Sequence, residues 1–123
     1  VQLFTARRCE RPLRGEFCRR EITATTQPQW TSVTVTTSQT NITGNVYVPP
    51  VTETYNYDLD GNLTSDGRWT YNWDAENRLT NIVARTTVGP QLYIKFEYDW
   101  QGRRIHKQVW TNTSGTGTAS VDQ

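Results

Sequence analysis

The sequence predicts an all-β fold, an antiparallel meander of about six to nine strands joined as hairpins and not closed on itself. Three observations predict it. One phrase recurs, as YNYDLDGNLT (55–64), YNWDAENRLT (71–80) and FEYDWQGRRI (96–105). Only 34% of the 123 residues are hydrophobic, yet five Trp, six Tyr and three Phe stand among many Thr, a mixture that favours strands and turns. No stretch spaces apolar residues at i, i+3, i+4 and i+7, so little or no helix is expected.

Residues 1–28 read as a basic, partly irregular segment with a strand near 16–22, around EFCRREI. The net charge of +1 divides unevenly: residues 1–21 hold six Arg against three Glu (+3), and residues 22–123 hold seven Lys and Arg against nine Asp and Glu (−2). The basic charges alternate in sign with acidic ones and no aromatic platform accompanies them, so nucleic acid is not an expected partner. Cys9 and Cys18 form a C-x8-C pair that fits no zinc spacing without further ligands. They read as unpaired thiols or as a single disulfide, with no function assigned.

Residues 29–53 read as a β-hairpin and a proline-containing linker. QWTSVTVTT alternates Trp30, Ser32 and Thr34 against Thr31, Val33 and Val35; GNVYVPP supplies the partner strand, with a loop through Gln39 to Gly44. Pro49 and Pro50 then take the chain out of any ladder.

Residues 54–110 carry the repeats. Asp58, Asp74 and Asp99 are 16 and then 25 residues apart, a constant unit on variable connections, as strand-turn repeats are. In extended chain Tyr55 and Tyr57 share a face, as do Tyr71 and Trp73, and Phe96 and Tyr98. Each Asp then ends a strand by accepting a backbone N–H two residues on, and Gly61, Asn77 or Gly102 three residues after it tolerates the positive φ of a tight turn. The chain returns through Leu63, Leu79 or, one place later, Ile105. Between the first two copies Asp66-Gly67 signals a two-residue type I′ hairpin; taken literally it pairs Thr64 with Trp69 and sets Leu63 on the face away from Trp69, Tyr71 and Trp73, so either the register differs or both sheet faces are partly buried. Gly89-Pro90 marks the next turn, and Gln101-Gly102 the last. Residues 111–123, rich in Gly, Ser and Thr, read as a loop or linker, and both chain ends read as cuts through something longer.

The repeat, with YDLDGNLTSDGRWTYNWDAENRL followed by FEYDWQGRRIHKQVW, resembles the YD repeats of bacterial Rhs proteins, a family related to toxin-complex shell subunits and teneurins. The resemblance implies a segment of a larger hollow β-shell that encloses a C-terminal toxin or effector. It implies a wall component without an active site, whose partners are the rest of its own polypeptide and the enclosed effector, at the cell surface or secreted. The D-P-x-G signature of the family's self-cleaving core is absent from the sequence, and that activity is not carried over.

Other readings compete. Asp58, Asp60, Asp66, Asp74, Glu76 and Asp99 supply carboxylates for acid/base work, but each sits at an expected turn, and no apolar pocket is implied that would raise one pKa above its neighbour's. There is no G-x-S-x-G, and the single His, His106, reads as a half-exposed strand residue. DLDGN copies the start of an EF-hand loop, yet its position 6 is Leu63 and its position 12 is Trp69, so neither metal nor other cofactor is expected. A carbohydrate- or protein-binding module with exposed Trp and Tyr is the alternative, since rings stack on sugars. No apolar run is long enough to cross a bilayer. Open sheet edges predict poor solubility or oligomers when the chain is expressed alone.

Overall fold

A computed structural model describes residues 22–36 and 39–123; among them there is strand and connection but no helix. The basic N-terminal charges, Cys9, Cys18 and, but for Ile22, the strand expected near 16–22 lie outside the described residues.

Two antiparallel sheets form. The first is the hairpin of β1 (Gln29–Thr36) and β2 (Asn41–Val48). Its ladder runs from Gln29↔Val48 to Thr36↔Asn41, so Gly44 lies inside it, opposite Val33, and the loop is shorter than the sequence suggested. Two cross-strand pairs extend it: Val35 stands opposite Ile42, and the Thr34 and Thr43 hydroxyls meet at 2.9 Å.

The second sheet holds β3 (Asn56–Tyr57), β4 (Leu63–Ser65), β5 (Trp69–Trp73), β6 (Leu79–Ala84), β7 (Tyr93–Tyr98), β8 (Arg104–Trp110) and β9 (Val121–Asp122), in sequential order. β3 and β9 are its two edges, and it does not close. β9 arises in the segment expected to be loop. The Asn112 side-chain carbonyl gathers the N–H groups of Ser114 and Gly115, and the Trp110 indole donates to the Gly117 carbonyl, which turns the chain back against β8.

The turn between β4 and β5 departs from the expected type. Asp66 N–H bonds the Trp69 carbonyl and Ser65 pairs with Thr70, a two-residue shift from the expected register, and neither Asp66 nor Gly67 has positive φ. The Asp66 carboxylate is the cause: it accepts N–H bonds from Arg68 and Trp69 and so recentres the turn on Gly67 and Arg68.

Each repeat hairpin also carries a β-bulge at the same place. Asn56 pairs with Ser65 but Tyr57 with Leu63; Asn72 with Asn81 but Trp73 with Leu79; Glu97 with His106 but Tyr98 with Arg104. One residue, Thr64, Thr80 or Ile105, is therefore extra. Partners across a ladder share a face, so this insertion returns Leu63 and Leu79 to the face of the rings. It also corrects the third copy: Arg104, not Ile105, occupies the Leu position, and Ile105 is 61% exposed. Identical turns set the register there, overriding the preference of the apolar residue.

The register gathers Trp69, Tyr71, Trp73, Ile82, Ile94, Phe96 and Val109 on one face and leaves Asn81, Lys95, Glu97, His106 and Gln108 on the other, together with Val83, Tyr93 and Trp110. Among the described residues only Val48 and Trp110 are buried, at 8% exposure each, and the ring face is half-buried. Trp110 packs edge-on against its cross-strand partner Tyr93, centroids 5.7 Å apart.

Candidate functional site

The feature that recurs with one geometry is the turn after each ring pair. In each copy the Asp N–H bonds the carbonyl four residues on (Asn62, Arg78, Arg103), and its own carbonyl accepts the N–H three residues on (Gly61, Asn77, Gly102). That third residue lies at φ 85°, 57° and 76°, the left-handed region open to Gly and Asn. The carboxylate closes the ring. One oxygen takes two N–H bonds, from Asp60 and Asn62, from Glu76 and Arg78, or from Gln101 and Arg103, at 2.8–3.0 Å. The other takes a side-chain N–H from the fourth residue: Asn62 Nδ2 at 3.1 Å, Arg78 Nε at 2.8 Å or Arg103 Nε at 2.7 Å. This fourth residue went unnoticed in the sequence, although the copies agree there in carrying an N–H donor.

These bonds stabilise the charged carboxylates. For Asp74 the Arg78 N–H, and for Asp99 the Arg103 N–H, leads in holding the pKa below its ordinary value. For Asp58 desolvation pulls upward but is outweighed by the bonds from Asn62, Asp60 and Gly61. A carboxyl with a lowered folded-state pKa contributes stability above its unfolded value of 3.8, and the contribution is lost as pH falls through the folded one. Thermal unfolding followed by circular dichroism should therefore show the melting temperature falling steeply below about pH 4, with a flatter acid limb in the triple variant Asp58→Asn, Asp74→Asn, Asp99→Asn.

The second ring of the second and third copies does a further task. Trp73 Nε1 donates to the Leu63 carbonyl at 2.8 Å, and the Tyr98 hydroxyl donates to the Leu79 carbonyl at 2.8 Å, so each ring staples its hairpin to the preceding one. Asn62 and Asn77 join neighbouring turns at 2.7 Å. Phe96 and Tyr98 are covered by guanidinium groups, Arg104 over Phe96 at 5.4 Å and Arg78 over Tyr98 at 5.2 Å. In the first copy Tyr57 lies on the β3 edge, 62% exposed, and Tyr55 lies just outside the strand with its hydroxyl on Glu53.

Tyr71 takes a different partner. Its hydroxyl donates to Asp66 at 2.7 Å, and burial, then that bond, raises its pKa. Beside it the Arg68 guanidinium lies 4.5 Å from the Tyr47 ring, 4.9 Å from Trp69 and 5.8 Å from Trp30, joining the hairpin to the larger sheet. Gly67 is close-packed there, since a Cβ would stand 2.8 Å from Glu53 Oε1.

The repeat thus brings its Asp, Gly or Asn, ring and Leu positions together within each hairpin, but spreads the three Asp along the sheet. An open cleft of about 290 Å³ is lined by Glu53, Gly67, Arg85 and three Thr; none of Asp58, Asp74 and Asp99 faces it. Among the described residues no group of three His, Cys, Asp or Glu is placed to hold a metal ion, and no helix is long and apolar enough to cross a membrane.

The chain is similar to WapA tRNA nucleases of Bacillus. It is 42% identical over 62 residues to the tRNA3(Ser)-specific nuclease WapA of Bacillus spizizenii, which is 50% of this chain and 3% of the relative. It is 44% identical over 57 residues to the tRNA nuclease WapA of Bacillus subtilis strain 168, which is 46% of this chain and 2% of the relative. The chain therefore spans a small fraction of the length of these curated relatives. No family model and no solved structure matches it.

Proposed function

We propose that the chain is a non-catalytic stretch of wall in an Rhs-type β-shell that encloses a C-terminal toxin or effector, secreted or held at the cell surface. The observation that carries this reading is the repeated turn: each repeat Asp has both carboxylate oxygens engaged by its own turn. A carboxylate so engaged has its proton affinity lowered, the opposite of what a general acid at neutral pH needs.

Two further observations support a wall over a sugar-binding surface. Trp73 and Tyr98 use their polar atoms on backbone carbonyls, leaving them no donor for a hydroxyl. The sheet leaves a half-exposed ring face and two open edges, as a piece of a larger sheet does. The similarity to far longer nucleases fits a segment of a large polypeptide. The nuclease activity in the relatives' names is not assigned to these residues. The partners are the rest of the same polypeptide and its enclosed effector.

Protease protection tests the proposal. In the full-length polypeptide the C-terminal effector should resist a protease that cuts it when expressed alone, and deleting residues 54–110 should make it cleavable. An effector that stays protected after the deletion would refute the wall assignment.

A further inference from the structure

His106 lies on β8 with a carboxylate against each ring nitrogen. Nδ1 meets Glu97 of β7 at 3.1 Å, and Nε2 meets Asp122 of β9 in a short contact. A neutral imidazole has one N–H and one lone pair, so it donates to one carboxylate and turns its lone pair on the other. An imidazolium donates to both. The arrangement therefore suits the charged ring, and that ring ties the edge strand to the body of the sheet.

The surroundings agree. Lys95 of β7 is engaged with Glu97 at 2.7 Å, and Gln108 of β8 donates to the second Asp122 oxygen at 3.2 Å; Asn81 of β6, on the same face, is engaged with the Tyr93 hydroxyl at 2.7 Å. β9 is a short edge strand of two residues, paired with β8 at Gln108↔Asp122 and Val109↔Val121. Beyond that ladder, Gln123 and Lys107 bond in both directions, and the Ser120 N–H and hydroxyl both donate to the Val109 carbonyl. Beneath it β8 runs for seven residues.

We infer that His106 is a pH-sensitive clasp, whose protonated ring holds β9 against β8 and whose deprotonation loosens β9 and opens the β8 edge. The bond to Asp122, then the bond to Glu97, raises the His106 pKa above its ordinary 6.5. Hydrogen bonds from His106 and Gln108 lower the pKa of Asp122, and those from Lys95 and His106 lower that of Glu97. A raised histidine contributes stability that is fully present below 6.5 and lost as pH rises through the folded value. A lowered carboxyl contributes above its unfolded value and loses it as pH falls through the folded one. The clasp thus has a window, closed in mild acid and released on both sides.

Amide hydrogen exchange on the 123-residue chain, corrected for intrinsic rates, tests this. Protection at Ser120 and Gln123, relative to Ile94 on β7, should be several-fold higher near pH 5.5 than near pH 9, while the His106 ring signal titrates above 6.5. His106→Gln should flatten that profile, and so should Asp122→Asn, which leaves the β7–β8 ladder untouched. Equal relative protection at both pH values, or wild-type pH dependence in both variants, would overturn the clasp.

Discussion

Trp73→Ala should cost about 3 kcal/mol of stability, while Trp100→Ala should change it by less than about 0.5 kcal/mol. The two residues differ only in where the repeat places them. Trp73 is half-buried on the ring face, stands opposite Leu79, and its indole N–H is the partner of the Leu63 carbonyl. Its removal strips ring packing from that face and takes the indole donor from the Leu63 carbonyl. Trp100 sits at the tip of the third turn, 88% exposed. Urea unfolding by far-UV circular dichroism separates the two, and an unchanged midpoint for Trp73→Ala would mean that the rings do not hold the sheet. Trp69→Ala belongs with Trp73→Ala, since Trp69 is half-buried and stacked by Arg68.

Arg68→Ala should release the β1–β2 hairpin from the larger sheet at a cost of about 2 kcal/mol, three ring contacts at roughly 0.5–1 kcal/mol each less what relaxation recovers. Its guanidinium lies among Trp30 of β1, Tyr47 of β2 and Trp69 of β5. The remaining junction is slight. The Tyr47 hydroxyl reaches the Gly67 carbonyl at 3.4 Å, and Trp30 packs on Gly89, where a Cβ would stand 3.0 Å from the indole. Arg68→Lys should recover only part of the loss, because an ammonium cannot stack as a plane on three rings. Protease cleavage in the 49–55 linker reports the release: the Ala variant should be cut faster while β5 to β8 stay intact, and equal cutting rates would contradict the junction.

The all-β class, the three copies and the role of Asp, Gly and Asn in each turn were legible because they are local. A carboxylate two residues from an N–H and a residue that tolerates positive φ act within one turn, so the phrase itself carries their geometry. The face of Leu63 was not legible. Period-two counting set it away from Trp69, Tyr71 and Trp73, and only the extra residue at Thr64 brings it back. Bulges leave no mark in composition, although a Leu out of phase with its rings in two copies was a usable signal. Asp66-Gly67 misled for a related reason: the dipeptide suits a type I′ turn, but the Asp carboxylate captured the Arg68 and Trp69 N–H groups and moved the turn by one residue. β9 and its contact with His106 depend on residues 12 to 16 positions apart, beyond what local patterning reaches.

The staples bear on the whole account. Trp73 reaches back to Leu63 and Tyr98 to Leu79, and Tyr57 occupies the same place on the β3 edge. A wall segment needs strands beyond both of its edges. Cryo-electron microscopy of the full-length polypeptide tests this most directly. Further strands should be hydrogen-bonded to β3 and continue past β9, with the sheet curving around an enclosed volume; a detached module with both edges and its ring face in water would overturn the wall assignment.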